Sequence, residues 1–362
     1  MGIKDTMNTY GKRIKLDIYG GSHDERIGMT LDGIPAGETI DLNALSAFMA
    51  RRAPGNDPYS TSRREPDEPV FLSGLSGNAT TGGTIEAVIY NKNQRSGDYS
   101  SLADTPRPSH ADYAAIMKYG KDVDLRGGGH FSGRLTAPMC IAGGICLQLL
   151  AKRGIHIGAH IYSVGNVQDK PFDSVNVSKR ELDILHYWKF PVLEGASGEK
   201  MKRLIEAVRT EGDSVGGVIE CAVIGLPTGL GEHMFDSVES AISNIVFGIP
   251  AVKGIEFGAG FSASQTLGSQ NNDAFYTDGR RVLTKTNNAG GVLGGMTSGM
   301  PLIFRAAFKP TPSIAKEQDT VSLSRMENVK ITVGGRHDPC VVPRAVPVIE
   351  AAAALAIMDL MS

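Results

Sequence analysis

The chain has 362 residues, with 37 Lys and Arg against 39 Asp and Glu. A net charge of -2 supplies no global field to draw it to nucleic acid or an anionic membrane. Four scattered cysteines without C-x-x-C, and eight histidines without H-E-x-x-H, argue against a disulfide framework or a zinc site, and so for a reducing, cytoplasmic setting and no metal.

At 41% hydrophobic and 21% charged the composition is that of a globular protein, and 44 glycines predict many tight turns and close backbone approaches. The opening Met1-Gly2 formally fits a short, common myristoylation pattern. With Met7 as the start, residues 1–6 become an extension and residues 7–362 a single domain. Residues 14–19 read as a strand, followed directly by Gly20-Gly21-Ser22-His23-Asp24. Glycines there present a hydroxyl and an imidazole at a strand end, which suits an acid near a leaving group, or a plain turn. Asp41 is placed to cap a helix through Leu42, Leu45, Phe48 and Met49 that leads into Arg51-Arg52. The loop from Arg51 to Arg64 carries four arginines and rigid Pro54 and Pro58, fit either to clamp phosphate or carboxylate or to form a solvated patch. A strand is expected over 84–90.

In Arg107-Pro108-Ser109-His110-Ala111-Asp112, the aspartate is placed to orient a helix N-terminus and the imidazole to titrate near neutrality. Asp124 through Arg134 (DLRGGGHFSGR) then opens an apolar run over 136–150. A glycine loop at a helix N-terminus is a phosphate cradle, although this one matches neither G-x-G-x-x-G nor the P-loop. The run nears membrane-span length. Its Gly143-Gly144 break and flanking Arg134, Lys152 and Arg153 favour a helix buried in a large domain, as does the similar stretch 344–361. Strands are expected over 156–164, where His156 and His160 read as packing residues, and over 217–224 and 329–333. Met201, Leu204, Ile205 and Val208 form a helical stripe.

From Asn287 to Ser313, Gly290, Gly291, Gly294 and Gly295 would let a flat ring lie against backbone. Lys309, Thr311 and Ser313 would suit a phosphate tail, so a flavin nucleotide is one candidate. In Gly335-Arg336-His337-Asp338-Pro339-Cys340 the proline favours extended backbone, which puts Arg336 and Asp338 on one side and His337 on the other. That is a site for an anion and a proton, or a surface turn with an internal ion pair. Helices and strands mix without a βαβ rhythm, so the fold class is α+β, with antiparallel sheet covering buried helices.

Taken in order, these clusters closely resemble the chorismate synthase family from about Met7 to Met361. The strongest marks are Arg63-Arg64-Glu65-Pro66-Asp67, Arg107 through Asp112, Asp124 through Gly129, Gly229-Leu230-Gly231-Glu232, Ala251-Val252-Lys253-Gly254, Ala289-Gly290-Gly291, Lys309-Pro310-Thr311, and Gly335 through Cys340 with Arg344-Ala345-Val346-Pro347. The resemblance implies a β-α-β sandwich, with a helical core between antiparallel sheets, assembled as a homotetramer. It implies a shikimate-pathway lyase that converts 5-enolpyruvylshikimate 3-phosphate to chorismate by 1,4-anti elimination of phosphate, using reduced FMN without net redox change. Some members reduce their own flavin with NAD(P)H.

By the same resemblance His23 protonates the leaving phosphate, His110 stands beside the reduced flavin, and Asp338 helps remove the substrate proton. Ser132, Ala251, Gly294, Lys309, Pro310, Thr311, Pro312, Ser313 and Arg336 fall at flavin-binding positions. Ser22, Arg52, Arg107, Arg134 and Arg336 fall at substrate-binding positions. The chain departs from the family pattern at His130, Phe131 and Leu135, where arginine, serine and glutamate are usual. Pro58 replaces a common arginine, and Gly21 and Asp24 replace the usual glutamate and glycine beside Ser22-His23. Two further readings remain: an FMN-dependent lyase for a different enol-ether phosphate, and a flavin- or phosphate-binding relative without catalysis.

Overall fold

Alternation of apolar residues builds two five-stranded antiparallel sheets. The computed structural model describes residues 8–55, 59, 61, 66–91, 104–120, 123–335 and 337–362. The first sheet runs Thr9–Tyr10, Lys15–Tyr19, Arg26–Asp32, Ile85–Tyr90, Val70–Ser73. Its register sets Ile27 against Ile89, Met29 against Ala87 and Leu31 against Ile85 on one buried face. The second sheet runs Val252–Phe257, Leu302–Phe308, Gly217–Ile224, His156–Val164, Val167–Gln168. There Ile219, Cys221 and Val223 face inward opposite Ala306, Phe304 and Leu302.

Two helices fill the space between the sheets. Thr136–Lys152 packs on the first sheet, Val342–Met361 packs on the second, and the two pack on each other. Both are buried nearly all round, which is why neither shows a clean amphipathic stripe. Gly133–Lys152 is long and apolar enough to cross a membrane, but 78% of that window is buried inside the protein.

The glycine pair within this helix marks helix crossings. A Cβ on Gly143 would lie 2.3 Å from the Cβ of Ala351 on the C-terminal helix, and one on Gly144 would lie 2.5 Å from Leu45. A single apolar core therefore runs from sheet to sheet through these helices. Asp359 closes one end, accepting the backbone N–H groups of Lys12, Arg13 and Ile14 at 2.9, 2.6 and 2.9 Å. The β-α-β sandwich expected above is the observed architecture.

Most expected elements are present. Asp41 caps Leu42–Arg52 by accepting from the N–H groups of Asn43 and Ala44. Strands His156–Val164 and Gly217–Ile224 have the expected bounds. The last strand spans Glu327–Ile331, two residues earlier than expected. Leu302–Phe308, which is not among the strands expected from sequence, is a core strand.

Candidate active site

A cleft of about 600 Å³ opens at one edge of the sandwich, where the Arg107 loop, the triglycine segment, the ends of strands Val252–Phe257 and Leu302–Phe308, and the start of the C-terminal helix meet. His110 is its best-fixed imidazole. Ser109 turns the chain with φ +57°, and the helix Asp112–Tyr119 begins just beyond. Asp112, fully buried, receives Arg107 Nε at 2.7 Å, Arg107 Nη2 at 2.8 Å and His110 Nδ1 at 2.6 Å. Burial alone would raise this carboxyl, but hydrogen bonds from Arg107 and His110 hold it below the ordinary carboxylate range. Arg107 Nη2 also lies 3.1 Å from His110 Nδ1, so this nitrogen is engaged within the wall and Nε2 is the ring atom nearer Gly128.

Gly127, Gly128 and Gly129 all have positive φ. A Cβ on Gly127 would lie 2.3 Å from His23 Cε1 and 2.8 Å from Ser22 Oγ, while one on Gly128 would lie 3.6 Å from His110 Nε2. The loop is thus a thin spacer between two imidazoles that are far apart in sequence. His23 is buried and does not itself line the cleft; it lies behind Gly127, which does. The hydroxyl of fully buried Ser22 has no hydrogen-bond partner among the described residues.

Arg52 and Arg134 also line the cleft, joined behind it by Asp67. Arg52 Nη1 reaches Asp67 at 2.6 Å, Nε reaches Thr136 Oγ1 at 3.1 Å and Nη2 reaches the Gly133 carbonyl at 2.8 Å. Arg52 and Arg107, both expected at the substrate, are therefore engaged by internal acceptors.

Asp338 lines the opposite wall, accepting from the Thr61 N–H at 2.8 Å and Arg344 Nη1 at 2.6 Å. His337 lines the same cleft, contrary to the strand-like alternation expected for this segment. The described residues 332–335 and 337–341 form no strand, so the two-residue period does not apply to them. Burial, followed by the charges of Arg107 and His110, lowers the pKa of His337 despite its 3.1 Å contact with the Gly334 carbonyl. Arg336 lies outside the described residues, as do Pro58, Arg63 and Arg64.

On the remaining wall Lys309 donates its N–H to the carbonyl of Ala251, whose φ is +74°. Burial and then the neighbouring Lys253 charge lower the Lys309 amine. Thr311 Oγ1 is buried with no partner among the described residues, and Ser313 Oγ accepts from Arg107 at 3.1 Å. Ser132 and Pro312 line this cleft and Pro310 does not.

The glycine platform expected for a flat ring is not there. A Cβ on Gly290 would lie 2.4 Å from the Gly258 nitrogen, and one on Gly291 would lie 2.4 Å from the Pro301 oxygen, so both glycines serve packing within the chain. Gly294 is exposed on the turn between Val292–Leu293 and Met296–Thr297, away from the cleft. Sequence reasoning also missed Asp67, Lys253 and Arg344 as site residues. All three stood inside motifs already singled out, Asp67 as the last residue of Arg63-Arg64-Glu65-Pro66-Asp67, but no motif said which partners they would meet.

A sandwich whose cleft gathers imidazoles, guanidiniums, lysines and a carboxylate defines a protein able to move protons beside an anionic ligand. The chorismate synthase profile matches residues 14–362. A chorismate synthase of Lancefieldella parvula is 44% identical over 97% of this chain and 95% of its own length. One from Thermococcus kodakarensis is 44% identical over 96% of each. A crystal structure of chorismate synthase superposes with a TM-score of 0.75 at 26% identity, covering 97% of this chain and 92% of the other. The chain belongs to the chorismate synthase family.

Proposed function

We propose that the chain is a carbon–oxygen lyase that eliminates phosphate from 5-enolpyruvylshikimate 3-phosphate to form chorismate, with reduced FMN in the cleft. The observation that carries this reading is convergence. His23 and His110 flank one triglycine loop, and Asp338 lines the cleft that the loop borders.

The residues fit the cofactor. A half-buried lysine and the unpartnered Thr311 hydroxyl suit a phosphate-bearing tail, so Lys309 and Thr311 would hold it, with Ser132, Ala251 and Pro312 beside it. When bound, reduced FMN supplies electron density to the substrate during phosphate departure, without net oxidation. His110, fixed by Asp112, presents Nε2 where it can stabilise negative charge. His23 is assigned to protonate the departing phosphate, which leaves more easily once its charge falls. Asp338, held by Arg344 and the Thr61 N–H, is assigned to accept the ring proton.

The same reading makes the protein a homotetramer. Phe235, Phe261 and Phe275, exposed by 85%, 80% and 65%, suit burial against further copies, and light scattering should return four times 38.5 kDa. The deciding assay is anaerobic. With chemically reduced FMN, the substrate should yield equal amounts of phosphate and chorismate with no lasting flavin oxidation. Tight FMN binding with no phosphate release would reject the reading.

A further inference from the structure

Asp67 belongs to no cleft wall, yet it touches two residues that do. It is 1% exposed, and it takes up φ +51°, a conformation uncommon for any residue but glycine, asparagine or aspartate. Its two oxygens divide between Arg52, at 2.6 Å from Oδ2, and Arg134, at Oδ1. Burial would raise this carboxyl, but the charges of Arg52 and Arg134 lower it, so it stands ionised between them.

From Arg134 the connection continues. Arg134 Nε donates to Asn91 Oδ1 at 3.1 Å, and Asn91 Nδ2 donates to the Asp24 carbonyl at 2.8 Å. The Asn91 N–H donates to the Glu25 carbonyl at 3.0 Å. Asn91 thus grips the turn that carries Ser22 and His23 from two sides.

We propose that Asp67 and Asn91 are positioning residues for the proposed elimination, Asp67 setting the Arg52–Arg134 pair against the anionic substrate and Asn91 fixing the His23 turn relative to Arg134. Without Asp67, two buried guanidiniums would repel one another across the cleft wall. With it, their directions are set before the ligand arrives, and the entropy of ordering two long side chains is not charged to binding. Without Asn91, the turn keeps its strand contacts but loses its register to the phosphate end of the cleft. An error near 1 Å there reduces catalysis about 10²-fold.

The inference rests on the proposed function, so the experiment separates the two. Turnover by the parent chain tests the function, and ratios of variant to parent test the positioning. Asp67→Asn should raise the KM for 5-enolpyruvylshikimate 3-phosphate at least tenfold. Asn91→Ala should lower kcat at least tenfold with a smaller change in KM. FMN affinity, which depends on the Lys309–Thr311 wall, should stay within threefold for both. A merely structural role would weaken substrate and flavin in parallel with the loss of folded protein, and that result, or an unchanged KM and kcat, overturns the proposal. If Asp67→Asn fails to fold, Asn91→Ala decides alone, because it leaves no charge unpaired. If the parent shows no turnover, inorganic phosphate titrated calorimetrically into parent and Asp67→Asn takes its place. A tenfold weaker variant upholds the positioning, and equal affinities overturn it.

Discussion

Replacing Gly127 with alanine should displace His23 while leaving the fold standing. The added Cβ would sit 2.3 Å from His23 Cε1 and 2.4 Å from Nδ1, where ordinary contact begins at about 3.4 Å. The imidazole must therefore move by about 1 Å, enough to lower kcat about 10²-fold if His23 transfers a proton. Alanine at φ +57° also carries strain of ~1–2 kcal/mol. At ~2.1 cal/mol/K of unfolding entropy per residue, that lowers Tm by only about 1–3 °C for a chain of this length. Gly128→Ala is the matched control. Its φ of +87° brings comparable strain, but its Cβ meets Ser132 at 3.4 Å and His110 at 3.6 Å, which are ordinary contacts. Anaerobic phosphate release under saturating substrate and reduced FMN should fall about 10²-fold for Gly127→Ala and less than about tenfold for Gly128→Ala. Equal losses would mean that backbone strain, rather than the histidine, sets the rate. Parental kcat in Gly127→Ala would remove His23 from the chemistry.

Asp112→Asn takes the charged acceptor from His110 Nδ1 and leaves Arg107 without its buried carboxylate. A charge-assisted hydrogen bond of ~1.5–3 kcal/mol predicts a loss of about 10–100-fold in kcat, and single-turnover rates within threefold of the parent would count against the pairing. Away from the cleft, His160 lies fully buried between Glu220 at 3.0 Å and Asp169 at 3.3 Å. Burial alone would lower its pKa, but the adjacent carboxylates of Asp169 and Glu220, the latter hydrogen-bonded to Nε2, raise it above the ordinary value. A raised folded pKa stabilises fully below the unfolded value of ~6.5 and loses that stabilisation as pH rises through the folded pKa. Parent and His160→Gln should thus differ most in Tm below about pH 6.5, by an amount set by a broken buried pair of ~3–5 kcal/mol, with the gap closing in alkali. A gap independent of pH would contradict this.

Local signals were legible and distant pairings were not. Asp41, the strand His156–Val164 and the buried helix Thr136–Lys152 follow from capping, alternation and apolar length, all properties of adjacent residues. Leu302–Phe308 was hidden because Arg305 interrupts its apolar run. Only in the sheet does that side chain find Glu220 and Glu256, at 2.9 and 3.2 Å. The link from Asp112 to His110 spans two residues, yet it was read as helix capping because the loop geometry that turns Ser109 has no sequence signature. Asp67 meets partners 15 and 67 residues away, a juxtaposition made by tertiary packing alone. The glycines near residue 290 misled for the opposite reason. Glycine permits close approach without saying to what, and here the neighbour is the chain's own backbone.

The ion pairs of the cleft also bear on the departure at His130. Arg52 is held by Asp67, Thr136 and Gly133, and Arg107 by Asp112 and Ser313, so part of each guanidinium's donor set is already used within the wall. Lys253 and Lys309 line the cleft without a carboxylate partner among the described residues, and the imidazole of His130 lines it as well. A ligand with three negative charges would meet fewer permanent cations here than it would with an arginine at this position. His130→Arg should then lower the substrate KM by about tenfold, the lower range for one charge-assisted hydrogen bond of ~1.5–3 kcal/mol. FMN affinity should change by less than KM, because the substitution leaves Lys309 and Thr311 in place. Steady-state kinetics at two ionic strengths provide the check, since the gain should shrink as salt screens the added charge. An unchanged or higher KM would mean that the chain's own histidine is matched to its ligand, and that the proposed substrate is not the one this cleft selects.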